Sequence, residues 1–190
     1  FDLTSLRTGV MAGSPCPSEI MKRVISLMHM SEVEICYGMT ETSPVSTQTR
    51  IDAPLDKRVG TVGRVSPHLE VKIVDPETGK IVPVGVTGEL CTRGYSVMLG
   101  YWNNPEATSS AIDAAHWMHT GDLATMDSDA YVNIVGRIKD MIIRGGENVP
   151  VFDIENLMFK HPAVLSVAIV GYPDPRLGER ACAFVVLRPG

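Results

Sequence analysis

Paired cysteines are missing from this sequence. Cys16, Cys36, Cys91 and Cys182 stand far apart and form no CxxC pair, which removes the common zinc-ribbon and thiol-redox spacings. With 190 residues, 44% of them apolar, the chain needs no disulfide staples. All four are therefore read as reduced, mostly buried thiols of a cytoplasmic protein. No apolar run approaches the roughly 20 residues that span a bilayer, and no signal peptide is visible. The first residue is Phe1 and not an initiator Met, so a targeting segment ahead of it stays open. Surplus positive charge is also lacking. Lys and Arg number 17 against 22 Asp and Glu, for a net charge of -5. Such a chain has no electrostatic reason to hold nucleic acid or an anionic membrane. Any phosphate it binds must be held by local groups. Internal repeats and low-complexity segments are absent too.

What is present divides into three stretches and predicts a mixed α/β fold. Over residues 1–51, a short apolar strand runs from Thr8 into the Gly13-Ser14-Pro15 loop. A helix follows from about Pro17 to Met28, with Ile20, Val24, Leu27 and Met28 at helical spacing, and a second strand covers Val33-Glu-Ile-Cys36. Strand, helix and strand with tight loops is the pattern of a parallel sheet. Residues 52–136 carry short strands broken by glycine and proline: Glu70–Val74, Gly88–Thr92 and Tyr131–Val135, with a turn at Asp75-Pro-Glu-Thr-Gly79 and a short helix after Asn104-Pro-Glu. That spacing predicts a small antiparallel sheet or barrel. Residues 137–190 hold a helix over Phe152–Lys160, stopped by His161-Pro162, then strands at Val164–Val170 and Ala181–Leu187.

Three segments carry residues suited to chemistry. Tyr37-Gly-Met-Thr-Glu41 follows a strand directly, and ligands of open α/β sheets bind beyond the carboxyl ends of strands. Tyr37 offers a flat face, Gly38 close backbone approach, Thr40 a hydroxyl and Glu41 a hard oxygen for magnesium; a loop opening a helix fits equally. His119-Thr-Gly-Asp122 places a carboxylate in a tight, approachable turn, where it could accept bonds from ribose hydroxyls or be an ordinary turn aspartate. Gly136-Arg137 through Asn148 offers the Arg137 fork and the Gly145-Gly146 pair. It reads as a hinge or as a plain connector with a solvated basic face.

Taken together, these segments resemble the acyl-adenylate-forming superfamily of acyl-CoA synthetases, peptide-synthetase adenylation domains and beetle luciferases. Five pieces occur in that family's order: Gly13-Ser14-Pro15, YGMTE from Tyr37, GELCTRGYSVMLGYW from Gly88, HTGD from His119 and GRIKDMIIRGGEN from Gly136. The resemblance implies ATP, Mg2+ and coenzyme A as the small molecules used with a carboxylic acid. Carried over by position, Gly13, Ser14 and Pro15 would line the adenine, with Tyr37 stacked on it and Gly38 beside it. Thr40 would contact the α-phosphate, Glu41 would hold magnesium, and Asp122 would bind the ribose with Arg137 assisting. Lys139 falls at the hinge, and Gly145 and Gly146 at the pantetheine channel. The implied domains are the end of the α/β AMP-binding core (1–51), a β-barrel subdomain (52–136), and the hinge with part of a mobile C-terminal domain (137–190).

The family's Ser/Thr/Gly-rich phosphate loop and its distal catalytic lysine have no counterpart here. The chain is therefore expected to be a fragment that cannot form an acyl-adenylate alone. Pro150 also stands one position earlier than the family's proline. The Lys139 hinge and the GGEN run resemble the fatty-acyl-CoA synthetase branch, closest to the medium-chain subgroup, which implies a medium- or long-chain acid. Transfer to a carrier-protein thiol and a non-catalytic nucleotide-binding scaffold remain the alternatives. His116 and His119 suggest metal ligands only weakly, because no Cys or Asp/Glu cluster completes a site; both read as part of the loop before Asp122.

Overall fold

The structure is a computed structural model that describes residues 1–14, 16–149 and 151–189. Its contacts divide the chain into two compact units, Phe1–Thr120 with Ala124–Ile134, and Gly121–Leu123 with Val135–Gly190.

The first unit opens with strand β1 (Thr8–Met11), helix α1 (Ser18–Leu27) and strand β2 (Glu32–Tyr37). β1 and β2 pair in parallel, Thr8 opposite Glu32 and Met11 opposite Ile35, as a strand–helix–strand unit requires. The apolar stripe of α1 turns inward through Met21, which is 0% exposed and packs with Val33, Ile35 and Val59. Two-residue strands β3 (Thr47–Gln48) and β4 (Arg64–Val65) extend the sheet antiparallel, so it is mixed. Between them lies α2 (Leu55–Gly60), whose Arg58 donates to the carbonyls of Ser31 and Val33 at 2.8 and 2.9 Å.

A second sheet has the order β5-β6-β7-β8, with β5 at Leu69–Val74, β6 at Gly88–Gly94, β7 at Met118–Met126 and β8 at Val132–Arg137. Helix α3 (Pro105–Ala111) precedes β7. Ile73, Leu90, Ala124 and Val132 form this sheet's core. The barrel expected for 52–136 does not close among the described residues: four strands are too few to curl around a filled interior, and β5 and β8 end the order as its two edges.

In the second unit, β9 (Ile142–Arg144) and β10 (Glu147–Val149) form a hairpin. Its two-residue turn, Gly145-Gly146, has φ of 64° and 88°. Two positive φ values match the twist of such hairpins and favour glycine strongly. Helix α4 (Val151–Phe159) packs on the long hairpin of β11 (Val164–Asp174) and β12 (Gly178–Leu187), and β12 joins β9. The sheet order is β10-β9-β12-β11 around Ile142, Val164, Val167 and Ile169. Among the described residues, no helix is long and apolar enough to cross a membrane.

Candidate functional site

The parallel register of β1 and β2 brings their carboxyl ends to one sheet edge. Gly13 and Ser14 leave β1 there as an exposed loop, with Gly13 at φ 82°. Pro15 and Pro150 lie outside the described residues. Tyr37 closes β2 half-buried, its ring packed beside the Ile73–Leu90 core. Thr40 and Glu41 then sit on a single 3-10 turn, Thr40–Thr42, and not at the start of a helix. The reason is local. The buried Thr42 hydroxyl takes the Met39 N–H at 3.0 Å and donates to the Met39 carbonyl at 3.0 Å, which tightens one turn, and Ser43 follows at φ 55°.

Gly38 serves the fold before any ligand. A Cβ there would lie 1.8 Å from the Pro44 carbonyl oxygen and 3.0 Å from the Ser46 nitrogen. The close approach predicted for this glycine is to the protein's own backbone, where Ser46 N–H bonds the Tyr37 carbonyl at 2.8 Å.

Glu41 is half-buried and held from two sides. Its carbonyl accepts the Met98 N–H at 2.8 Å, and its Oε1 accepts the Tyr101 hydroxyl at 2.9 Å. Among the described residues, Oε2 accepts no hydrogen bond.

Asp122 corrects the turn expected at His119–Asp122. It lies inside β7, 7% exposed, because the strand's apolar flank runs on through Leu123 and Ala124 into buried positions. Gly121, at φ 72°, supplies the irregularity that looked like a turn. Asp122 Oδ1 meets Arg137 Nε at 2.9 Å, with the arginine side chain largely exposed. Lys139 is exposed on a 3-10 turn, Ile138–Asp140, just after β8. Gly145 and Gly146 form the β9–β10 turn, where Gly145 N–H bonds the Leu177 carbonyl at 2.7 Å.

His119 is in β7 and not in the loop before it, and it has neighbours that sequence distance hid. Its Nδ1 lies 2.7 Å from Glu89 Oε2 and 3.5 Å from Cys91 Sγ, and its Nε2 lies 3.8 Å from Asp113. The candidate ligand atoms of Glu89, Cys91 and His119 fall within 4.8 Å of one another. Burial, then the Glu89 charge, pushes the Cys91 thiol up to about 12. His119 links β6 to β7 through Glu89 and Cys91. Only the pairing of alternate residues on adjacent strands could have revealed it.

The profile described as AMP-binding enzyme matches residues 1–102. The chain belongs to the AMP-binding enzyme family. The profile of the AMP-binding enzyme C-terminal domain matches residues 153–190. YngI of Bacillus subtilis (strain 168) is 55% identical over all of this chain and 35% of its own length. The mitochondrial medium-chain acyl-CoA ligase ACSF2 of Danio rerio is 49% identical over all of this chain and 31% of its own. ATP-bound MatB from Rhodopseudomonas palustris superposes with a TM-score of 0.87 at 35% identity, covering 94% of this chain and 35% of that one. The chain thus spans about a third of the length of the curated relatives it matches.

Proposed function

We propose that the protein containing this chain activates a medium- or long-chain fatty acid with ATP and transfers the acyl group to coenzyme A. The observation that carries this reading is the similarity of all of this chain to part of a medium-chain acyl-CoA ligase, 49% identical over 31% of that protein's length. Gly13, Ser14, Tyr37, Gly38, Thr40 and Glu41 lie at or just after the carboxyl ends of the parallel pair β1 and β2, which supports the reading.

In this reading the substrate carboxylate attacks the α-phosphorus of ATP and pyrophosphate leaves. The bound thiol then attacks the acyl carbon and AMP leaves. Positioning and charge stabilisation dominate such steps. The Gly13-Ser14-Pro15 loop and Tyr37 take the adenine. The exposed Thr40 hydroxyl donates to an α-phosphate oxygen. Asp122 accepts from the ribose hydroxyls, and Arg137, already paired with it at 2.9 Å, fixes its orientation and adds donors. Lys139 is the pivot of the hinge, and the Gly145-Gly146 turn borders the pantetheine path. The domain limits 1–51, 52–136 and 137–190 belong to the same proposal.

Glu41 fits a magnesium ion by its chemistry: a hard carboxylate, one oxygen engaged by a neutral hydroxyl and the other without a bond from the described residues. Magnesium, when bound there, supplies neutralisation of phosphate charge.

Four free thiols suit a reducing compartment, and the cytoplasm is the proposed location. The net charge of -5 favours small-molecule partners over nucleic acid.

The test is acid-dependent exchange of pyrophosphate into ATP by the enzyme from the complete coding sequence, across a series of acids, followed by coenzyme A consumption. Exchange that peaks with medium or long fatty acids and consumes coenzyme A supports the reading. Exchange without coenzyme A consumption points to a carrier-protein thiol, and no exchange with any acid points to a scaffold.

A further inference from the structure

We propose that Tyr101 is a positioning residue for Glu41, aiming its carboxylate toward the metal. The inference rests on the reading of Glu41 as the magnesium ligand.

The construction starts at helix α3. Asn104 caps it, its side chain accepting the Ala107 N–H at 3.0 Å, with Pro105 in the first helical position. Thr108, one turn in, donates its hydroxyl to the Asn104 carbonyl at 2.9 Å and accepts the Tyr101 N–H at 2.9 Å. The Tyr101 backbone is thereby tied to the helix it precedes. Gly100, at φ 153°, lets the chain lie against Thr108, where a Cβ would sit 2.8 Å from the threonine side chain. Upstream, the Met98 N–H bonds the Glu41 carbonyl at 2.8 Å. Both ends of the 98–101 arm are therefore fixed, one to α3 and one to the Glu41 backbone. From that frame the Tyr101 phenol reaches Glu41 Oε1 across 60 residues of sequence, at 2.9 Å.

A glutamate has three side-chain torsions, and ordering such a side chain costs conformational entropy. A fixed hydroxyl on one oxygen meets that cost before any ion arrives, and it leaves the other oxygen to coordinate. A phenol suits the task because it donates without adding charge, so the carboxylate keeps its full attraction for a cation. The same bond from Glu41 is the first cause that lifts the Tyr101 phenol above its ordinary 10.0.

Two measurements test this. The first is calorimetric titration of Mg2+ into the enzyme from the complete coding sequence, saturated with a non-hydrolysable ATP analogue. Tyr101→Phe is expected to weaken Mg2+ binding roughly three- to tenfold. Glu41→Gln should weaken it further, and the double variant should match Glu41→Gln alone. If Glu41→Gln weakens binding while Tyr101→Phe leaves it unchanged, the positioning role is overturned and the Glu41 reading survives. If Glu41→Gln leaves binding unchanged, the metal reading fails and this inference fails with it. The second measurement needs no metal. Phenol ionisation followed by ultraviolet absorbance should lose a high-pH step in Tyr101→Phe, and that step should move down in Glu41→Gln. A step indifferent to Glu41→Gln would overturn the contact itself.

Discussion

Replacing Gly38 with alanine tests the packing behind the YGMTE turn. The added Cβ would sit 1.8 Å from the Pro44 carbonyl oxygen, 2.8 Å from its carbon and 3.0 Å from the Ser46 nitrogen. A normal non-bonded separation is about 3.5 Å, so one strand of chain must move by more than 1 Å, on the order of the clash itself. All three atoms are backbone, so no rotamer change can relieve it. Movement would strain the Ser46-to-Tyr37 bond of 2.8 Å and the Thr42 hydroxyl contact to Pro44 at 3.3 Å. Overpacking costs about 1–3 kcal/mol, and each weakened hydrogen bond costs about 1 kcal/mol. Gly38→Ala should therefore lose roughly 3–5 kcal/mol, or about 6–20 °C in Tm for a chain of this size. Gly60→Ala is the control, since its Cβ meets nothing within 4 Å, and removing a glycine from a helix end is neutral to mildly stabilising. Thermal unfolding followed by circular dichroism reads both. A Gly38→Ala protein melting within about 1 °C of the parent would refute the reasoning, because no overpacked backbone contact is that cheap.

Two further outcomes follow from other contacts. Asn104→Ala removes the side-chain cap of α3 and should cost about 0.5–2 kcal/mol, read by urea unfolding; an unchanged urea midpoint would count against the cap. Burial raises the Cys91 thiol from 9.0 to about 12, so between those values the unfolded chain has released a proton that the folded chain keeps. Stability from this group is complete below pH 9 and is lost as pH rises toward 12; Cys91→Ala should flatten that alkaline decline, and equal slopes in both proteins would count against it.

The elements legible in the sequence were those whose signals are local. The β1–α1–β2 unit announced itself by helical spacing between two apolar runs, and α3 by Asn104-Pro105. The Gly145-Gly146 pair marked an irregular backbone, both at positive φ, but not the hairpin it closes. What escaped was set by distant partners. Strands β3 and β4 have two residues each and exist only because β2 is there to pair with. Helix α2 is a single anchored turn, though Pro54 at its N-cap was a usable sign. β7 was hidden because Gly121 and Asp122 look like a turn until the buried residues around them are counted together. The motif residues were assigned by resemblance alone, and the close contact at Gly38 lay six residues on, at Pro44. The Tyr101–Glu41 bond and the Glu89–His119 pair, separated by 60 and 30 residues, left no local trace at all.

We propose that Asp122 holds the ribose of a bound nucleotide. Calorimetric titration of AMP into the enzyme from the complete coding sequence, beside Asp122→Ala, tests it most directly. A carboxylate accepting ribose hydroxyls contributes about 1.5–3 kcal/mol, so the variant should bind at least about tenfold more weakly, with its fold intact by circular dichroism. AMP bound equally well by the parent and by a folded Asp122→Ala protein would contradict the account.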